Sequence, residues 1–147
     1  MNFSELGLCD ELSQAVADLG YTAPTPIQEK SIPYVLMGRD ILGSAQTGTG
    51  KTASFTLPMI EILASGRAKA RLPRSLILAP TRELAAQVAD SFEKFSTYHK
   101  LSMALLIGGV SFADQNAALA QAGDVLLATP GRGLDLLERG RGLLTDV

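Results

Sequence analysis

Apolar residues along the first forty positions recur at helical spacing. Positions 10–19 carry an apolar face, and Gly20 follows it in the way that commonly ends a helix. Residues 22–26 contain two prolines, which exclude a helix interior there, and Pro26 suits the first turn of a second helix running to about Met37. The pattern predicts two helices separated by a rigid loop.

Beyond residue 39, short apolar runs alternate with segments of helical spacing. The runs are mostly apolar instead of alternating with polar residues, which is typical of parallel strands covered by helices on both faces. The predicted strands are 40–44, 75–78, 102–107 and 124–128, and the predicted helices are 50–64, 82–95, 112–121 and 131–138. The repeated β-α order predicts an α/β fold with a parallel, doubly wound sheet, and 65–74 is predicted to be a surface loop.

The composition is that of one compact domain with a substantial core, since 46% of the 147 residues are hydrophobic and 19% are charged. Aromatic residues make up only 5%, which favours helices packed on a sheet over an aromatic-rich sandwich. The single cysteine, Cys9, cannot form an internal disulfide, and the chain has no basic leader and no apolar run of about 18 residues. We therefore expect a cytoplasmic protein that does not insert into membranes.

The strongest chemical signal is the sequence AQTGTGKT at 45–52, between a predicted strand and a predicted helix. Gly48 and Gly50 allow backbone N–H groups to converge on phosphate oxygens, and the helix N-terminus adds a favourable partial charge. Lys51 is placed to neutralise the β- and γ-phosphates of ATP, and the Thr52 hydroxyl to ligate Mg²⁺. We predict Lys51 and Thr52 as catalytic residues within a phosphate-binding loop formed by Ala45, Gln46, Thr47, Gly48, Thr49, Gly50, Lys51 and Thr52. Ala45 stands where the general pattern has glycine, so a glycine-rich turn that binds nothing is the alternative.

The segment GYTAPTPIQ at 20–28 resembles the Q motif of DEAD-box RNA helicases, and Phe3 matches the aromatic residue upstream of that motif. In that family the glutamine reads the adenine edge and an aromatic ring stacks on the base, roles that the resemblance assigns to Gln28 and Tyr21. The side-chain chemistry agrees, because an amide offers a donor and an acceptor together and tyrosine offers a flat face. The alternatives are a solvated glutamine in the first turn of a helix and a partly buried loop aromatic.

Three further segments follow predicted strands, at the edge where open α/β sheets bind ligands. The sequence PTRELA at 80–85 matches the family's motif Ia, a glycine pair follows the third strand, and TPGR at 129–132 matches motif Ib. The net charge of −2 gives no bulk attraction for nucleic acid, so binding must depend on local contacts with backbone phosphates. The predicted RNA-binding residues are Pro80, Thr81, Arg82, Gly108, Gly109, Thr129, Pro130, Gly131 and Arg132. A salt bridge of Arg82 on its own helix and a plain turn at 129–132 are the alternatives.

The resemblance implies a partial N-terminal RecA-like domain, with a Q-motif region at 1–38 and a P-loop α/β core at 39–147 whose sheet is incomplete on the C-terminal side. It points most strongly to bacterial members. Gly133 departs from the leucine that many relatives have after motif Ib. No Asp-Glu-Ala-Asp motif and no second RecA-like domain occur in the 147 residues, so we expect no ATP hydrolysis by this chain alone. Exposed sheet edges are expected to favour pairing with another chain.

The function implied is that of the ATP- and RNA-binding part of an ATP-dependent RNA helicase, which locally unwinds or remodels RNA. Its expected partners are RNA, through backbone phosphates, and a second RecA-like domain of the same protein. Two alternatives stay open: a P-loop ATPase acting on something other than RNA, and a nucleotide-binding module without catalysis. Cys9 and His99 are expected to be a packing residue and a solvated residue, respectively.

Overall fold

The computed structural model describes residues 1–46, 48, 50–65, 74–107, 124–132 and 147. A short 3-10 helix covers Phe3–Leu6 and is followed by the regular elements of the fold. These are α1 (Asp10–Asp18), α2 (Pro26–Leu36), α3 (Lys51–Ser65), β1 (Ser75–Leu78), α4 (Arg82–Phe95), β2 (Met103–Leu106) and β3 (Val125–Ala128). The four helices in the described part of the chain lie close to their predicted limits. The predicted helix at 112–121, and all but the start of the one at 131–138, lie outside the described residues.

The chain divides into two compact units. The first comprises Met1–Gly66 with Ser91–Lys100, and the second comprises Arg67–Asp90 with Leu101–Val147. Within the first unit, α2 packs against α3, and the core side chains are almost completely buried. The largest apolar ones are Leu12, Val16, Ile32, Leu57 and Ile60. This packing brings the start of α2 close to the start of α3.

A parallel sheet forms the centre of the second unit, in the strand order β1-β3-β2. The register pairs Leu78 of β1 and Leu106 of β2 with Ala128 of β3. All four residues of β3 are buried, as the apolar run predicts for a central parallel strand. Leu127 joins Ala79, Ala85 and Val88 in a core cluster, so the apolar face of α4 covers part of the sheet. The predicted α/β class and parallel strands are confirmed.

The predicted strand at 40–44 is wrong. These residues have irregular backbone, Leu42 is fully exposed and Ile41 is 42% exposed. An apolar run becomes a strand only where neighbouring strands satisfy its backbone hydrogen bonds. The sheet in the described part of the chain contains β1, β3 and β2, and 40–44 pairs with none of them.

Strand β1, which lies at the edge of the sheet as far as the structure describes it, also departs from the expectation of burial on both faces. Its residues alternate between half-buried and exposed, and Leu78 is 58% exposed. Apolar composition therefore does not separate an edge strand from a central one, because burial depends on what packs over each face. None of the described helices is long and apolar enough to cross a membrane.

Cys9 lies immediately before α1, where it contacts Glu61 of α3 and His99 of the segment Ser91–Lys100. Its backbone N–H donates to Glu61 Oε2 at 3.0 Å, and its Sγ lies 3.7 Å from His99 Nε2. Burial, followed by the hydrogen bond with Glu61, raises the pKa of the Cys9 thiol to about 11. His99, which was expected to be solvated, is half-buried, and its ring lies against the Cys9 thiol.

A raised thiol pKa predicts slow alkylation of Cys9. Near pH 8 the reactive thiolate is about a hundredfold scarcer than in an ordinary cysteine, so iodoacetamide should react about a hundredfold more slowly with the folded than with the urea-unfolded chain. Mass spectrometry of timed samples measures both rates. Glu61→Gln should speed the folded-state reaction, whereas Glu93→Gln, an exposed change elsewhere in the first unit, should not. Equal rates in the folded and the unfolded chain would contradict the raised pKa of this half-buried thiol.

Candidate functional site

The predicted phosphate-binding loop leads directly into α3, which begins at Lys51. Gly48 has a φ of +83° and Gly50 a φ of +80°, a left-handed backbone conformation that costs a residue with a side chain about 1–2 kcal/mol. Both glycines are therefore required by the loop's path. Thr47 and Thr49 lie outside the described residues.

Gln28 connects the start of α2 to this loop. Its Oε1 accepts a hydrogen bond from the Thr25 backbone N–H at 3.0 Å, which caps the helix, and its Nε2 donates to the Gly50 carbonyl at 3.1 Å. The side chain is only 1% exposed, which excludes the alternative of a solvated glutamine. An adenine could reach this amide only after the side chain or the loop moves, because no edge of it is open to solvent.

The contact with Gln28 gives Gly50 a second reason to be glycine. A Cβ at this position would lie 2.3 Å from Gln28 Nε2 and 3.6 Å from Thr25 Oγ1. A Cβ at Gly48 would meet no atom within 4 Å among the described residues other than its chain neighbours. The two loop glycines thus share the same backbone constraint and differ in the space around them.

Lys51 is exposed in the first turn of α3, and Thr52 beside it is half-buried. Lys51 lines a cavity of about 490 Å³ in the first unit together with Arg39 and Ser54. The remaining lining residues are Ile27, Val35, Asp40, Ile41, Gly43 and Phe55. Arg39 is a second cation that lines this cavity, and it was not among the residues predicted from the sequence. Its position directly after Gly38, at the end of α2, is the one sequence feature that marks it. The other predicted loop residues, Ala45 and Gln46, are half-buried and exposed, respectively.

Tyr21 is 47% exposed and belongs to an aromatic cluster in the first unit. Its ring lies edge-on to Phe3, with centroids 6.5 Å apart, and tilted against Phe95 at 6.1 Å. Phe3 and Phe95 are buried, so they support one part of the tyrosine ring while another part remains accessible. The ring is therefore held in place and still has surface to offer a ligand.

The segments predicted to contact RNA leave the sheet of the second unit at one edge. The Ala79 N–H donates to the Ala128 carbonyl, and the Thr129 N–H donates to the Leu106 carbonyl, both at 3.0 Å. Residues 80–82 and 129–132 therefore follow neighbouring strands that are in register. Such carboxyl-end edges are where open α/β sheets bind ligands.

Local hydrogen bonds order the first of these segments. The Thr81 hydroxyl accepts a hydrogen bond from the Leu84 N–H at 3.2 Å and caps α4, whose first residue is Arg82. Residues 130–132 are helical, so a plain turn at 129–132 is excluded. Pro80, Pro130 and Gly131 are exposed, whereas Thr129 and Arg132 are half-buried. The predicted pair Gly108 and Gly109 lies outside the described residues.

The described residues contain no group of three histidine, cysteine or acidic side chains that could hold a metal ion. The only residue that the sequence analysis assigns to a metal is Thr52. A single hydroxyl does not make a metal site by itself. It suits Mg²⁺ that is carried by nucleotide phosphates and keeps several of its waters.

Comparison with known proteins gives one consistent result. Residues 25–147 match the model of the DEAD/DEAH box helicase family. Over 140 residues, which are 95% of the chain, it is 51% identical to the ATP-dependent rRNA helicase rrp3 of Aspergillus terreus and 49% identical to rrp-3 of Neurospora crassa. The matched part is 31% of the first protein and 27% of the second, so the chain spans about a third of the length of these relatives.

Solved structures agree with the sequence relatives. A DEAD box protein from the hyperthermophile Methanococcus jannaschii superposes on all of the chain with a TM-score of 0.92 and 41% identity, over 39% of its own length. A hypothetical ATP-dependent RNA helicase from Sulfolobus tokodaii superposes on 91% of the chain with a TM-score of 0.80 and 33% identity, over 38% of its length. These four proteins are fungal and archaeal, so they lend no support to the expected likeness to bacterial members.

Proposed function

Because this chain belongs to the DEAD/DEAH box helicase family, we propose that it is the ATP- and RNA-binding part of an ATP-dependent RNA helicase. The observation that carries the proposal is the hydrogen bond between Gln28 Nε2 and the Gly50 carbonyl. It joins the residue assigned to adenine with the loop assigned to phosphates inside one compact unit. ATP hydrolysis and strand separation are proposed for a protein of the relatives' full length, acting with a second RecA-like domain.

ATP and Mg²⁺ fit the donor set of the loop. The left-handed glycines turn the backbone so that N–H groups can face phosphate oxygens, and Lys51 supplies a positive charge at the N-terminus of α3. Thr52 would supply the protein ligand to Mg²⁺, with the phosphates and water completing its coordination. When bound, Mg²⁺ neutralises charge on the phosphates. Once the Gln28 side chain or the loop has moved, the Gln28 amide would hold the edge of the adenine, and Tyr21 would hold its face.

RNA is proposed to bind at the edge where 80–82 and 129–132 leave the sheet. Backbone N–H groups at the starts of the two helical segments, together with the Arg82 and Arg132 guanidinium groups, suit phosphate oxygens. Phosphate contacts carry no sequence information, so this surface should accept RNA of any sequence. The pair Gly108 and Gly109 stays a prediction from the sequence.

The test of this proposal is paired titration of nucleotide and RNA. We expect the chain to bind ATP more tightly than GTP with Mg²⁺ present, and to bind ten-nucleotide RNAs of different sequence with similar affinity that falls as salt rises. Arg82→Gln should weaken RNA binding about tenfold and lower the salt slope by about one. Lys30→Gln removes the same charge from an exposed position on α2 and is the matched control. Fluorescence anisotropy measures both ligands.

The outcomes separate the alternatives. ATP binding without any RNA binding would favour a P-loop ATPase that acts on another substrate. Binding of both ligands, with no RNA-stimulated ATP turnover in a protein of the relatives' length, would favour a binding module without catalysis. Failure to bind ATP would contradict the proposal itself.

A further inference from the structure

Three polar residues occupy matching positions immediately before the three strands that the structure describes. Arg74 precedes β1, Asp124 precedes the central strand β3, and Ser102 precedes β2. The strand register pairs Ser75 and Met103 with Val125, so these three residues form one row across the amino-terminal edge. The row lies at the opposite end of the strands from the proposed RNA surface.

The two carboxylate oxygens of Asp124 accept hydrogen bonds from residues next to different flanking strands. Its Oδ1 accepts from Arg74 Nη2 at 2.9 Å, and its Oδ2 accepts from the Ser102 N–H at 3.0 Å and lies 3.4 Å from the Ser102 hydroxyl. Its backbone carbonyl also accepts from the Arg74 and Ser75 N–H groups, at 2.9 and 3.1 Å. The residue is 8% exposed. A nearly buried carboxylate thus ties both neighbours to the central strand.

Strands of four residues depend on such contacts for their register, because few ladder hydrogen bonds oppose a slip. A slip by one residue displaces a strand by about 3.3 Å and turns its side chains to the other face. Asp124 cannot keep its contacts with both Arg74 and Ser102 after such a slip. The same register decides whether residues 80–82 and 129–132 lie side by side at the far edge.

We infer that Asp124 is a positioning residue for RNA binding, which keeps β1 and β2 in register with β3 so that the segments 80–82 and 129–132 form one phosphate-binding surface. Asp124 lies at the end of the strands away from that surface and does not touch RNA. It acts through the strands, and because they span only about 13 Å, a shift at one end displaces the residues at the other. This inference rests on the proposed RNA contact of those two segments.

The test is Asp124→Asn in the 147-residue chain. The asparagine oxygen can still accept from the Ser102 N–H, but its NH₂ group then faces the Arg74 guanidinium, donor against donor. Removing a negative charge should by itself strengthen binding to anionic RNA, whereas loss of positioning should weaken it about tenfold. RNA affinity is measured by anisotropy at a temperature where circular dichroism shows both proteins folded. Glu93→Gln, an exposed change of the same charge on α4, is the matched control.

Two further measurements complete the test. The N–H groups of Ala79 and Thr129 form hydrogen bonds between neighbouring strands at the carboxyl ends of the sheet, and their exchange with solvent should be faster in Asp124→Asn. The affinity for ATP should stay unchanged. Arg74→Gln removes the charged partner of Asp124 and leaves the Ser102 contacts. If Asp124→Asn does not fold, the RNA affinity and the amide exchange are measured in Arg74→Gln instead. RNA affinity equal to that of Glu93→Gln in the folded variant would overturn the inference. If the unsubstituted chain binds no RNA, the proposed function fails separately, and unchanged exchange at Ala79 and Thr129 would then overturn the register claim.

Discussion

Gly50→Ala is expected to lower the free energy of unfolding by about 2–5 kcal/mol and to abolish tight ATP binding. The left-handed backbone at φ +80° costs an alanine about 1–2 kcal/mol. Its Cβ would lie 2.3 Å from Gln28 Nε2, which must leave the Gly50 carbonyl, and a buried polar group without its partner costs about 1–3 kcal/mol. Urea unfolding and ATP titration measure the two losses.

Gly48→Ala is the matched control for this prediction. Gly48 has a φ of +83°, so alanine meets the same backbone penalty. Apart from its chain neighbours, no residue that the structure describes has an atom within 4 Å of the added Cβ. Its stability should fall by only about 1–2 kcal/mol. The penalty of Gly50→Ala should shrink to this level in a Gln28→Ala background, because the colliding amide is then gone. Equal losses in the two glycine variants would show that the Gln28 contact adds nothing.

Lys51→Ala is expected to weaken ATP binding by roughly 10–150-fold, since a hydrogen bond to a charged group contributes about 1.5–3 kcal/mol. Lys51 is exposed, so its removal should leave the unfolding midpoint nearly unchanged. Calorimetric titration measures the affinity. Adenosine, which lacks phosphates, should bind the variant and the parent chain equally.

Lys30→Ala serves as the control for general charge effects. Lys30 is an exposed lysine on α2 and lies outside the cavity that Lys51 lines. ATP affinity should stay within about twofold of the parent, because a distant surface charge is screened by salt. A similar loss in both lysine variants would argue against a direct contact between Lys51 and the phosphates.

The helices could be predicted because their signals are local. α2 begins at the proline that the pattern identified and ends close to the predicted residue, and the limits of α4 agree with the apolar spacing. The failure at 40–44 has the opposite cause. Strand formation depends on a neighbour that the run itself does not contain, and Leu42 is exposed where no described strand pairs with it.

The candidate site divides in the same way. The glycine conformations at 48 and 50 follow from the motif alone, because backbone sterics act within one residue. The contact between Gln28 and Gly50 joins positions 22 residues apart, and no pattern of residue spacing in the sequence predicts it. The presence of Arg39 and Lys51 in the wall of one cavity, and the position of Asp124 between Arg74 and Ser102, likewise depend on which chain segments meet.

The sequence by itself determined the family, the α/β class, the four described helices and the left-handed glycines at 48 and 50, since these depend on local periodicity, backbone sterics and short motifs. Only the tertiary structure decided the sheet register, the burial of the Gln28 amide against Gly50, the irregular course of 40–44 and the row at Asp124. Each of these is a contact between residues far apart in the chain. Their free energies depend on distance and burial, which exist only once the chain has folded.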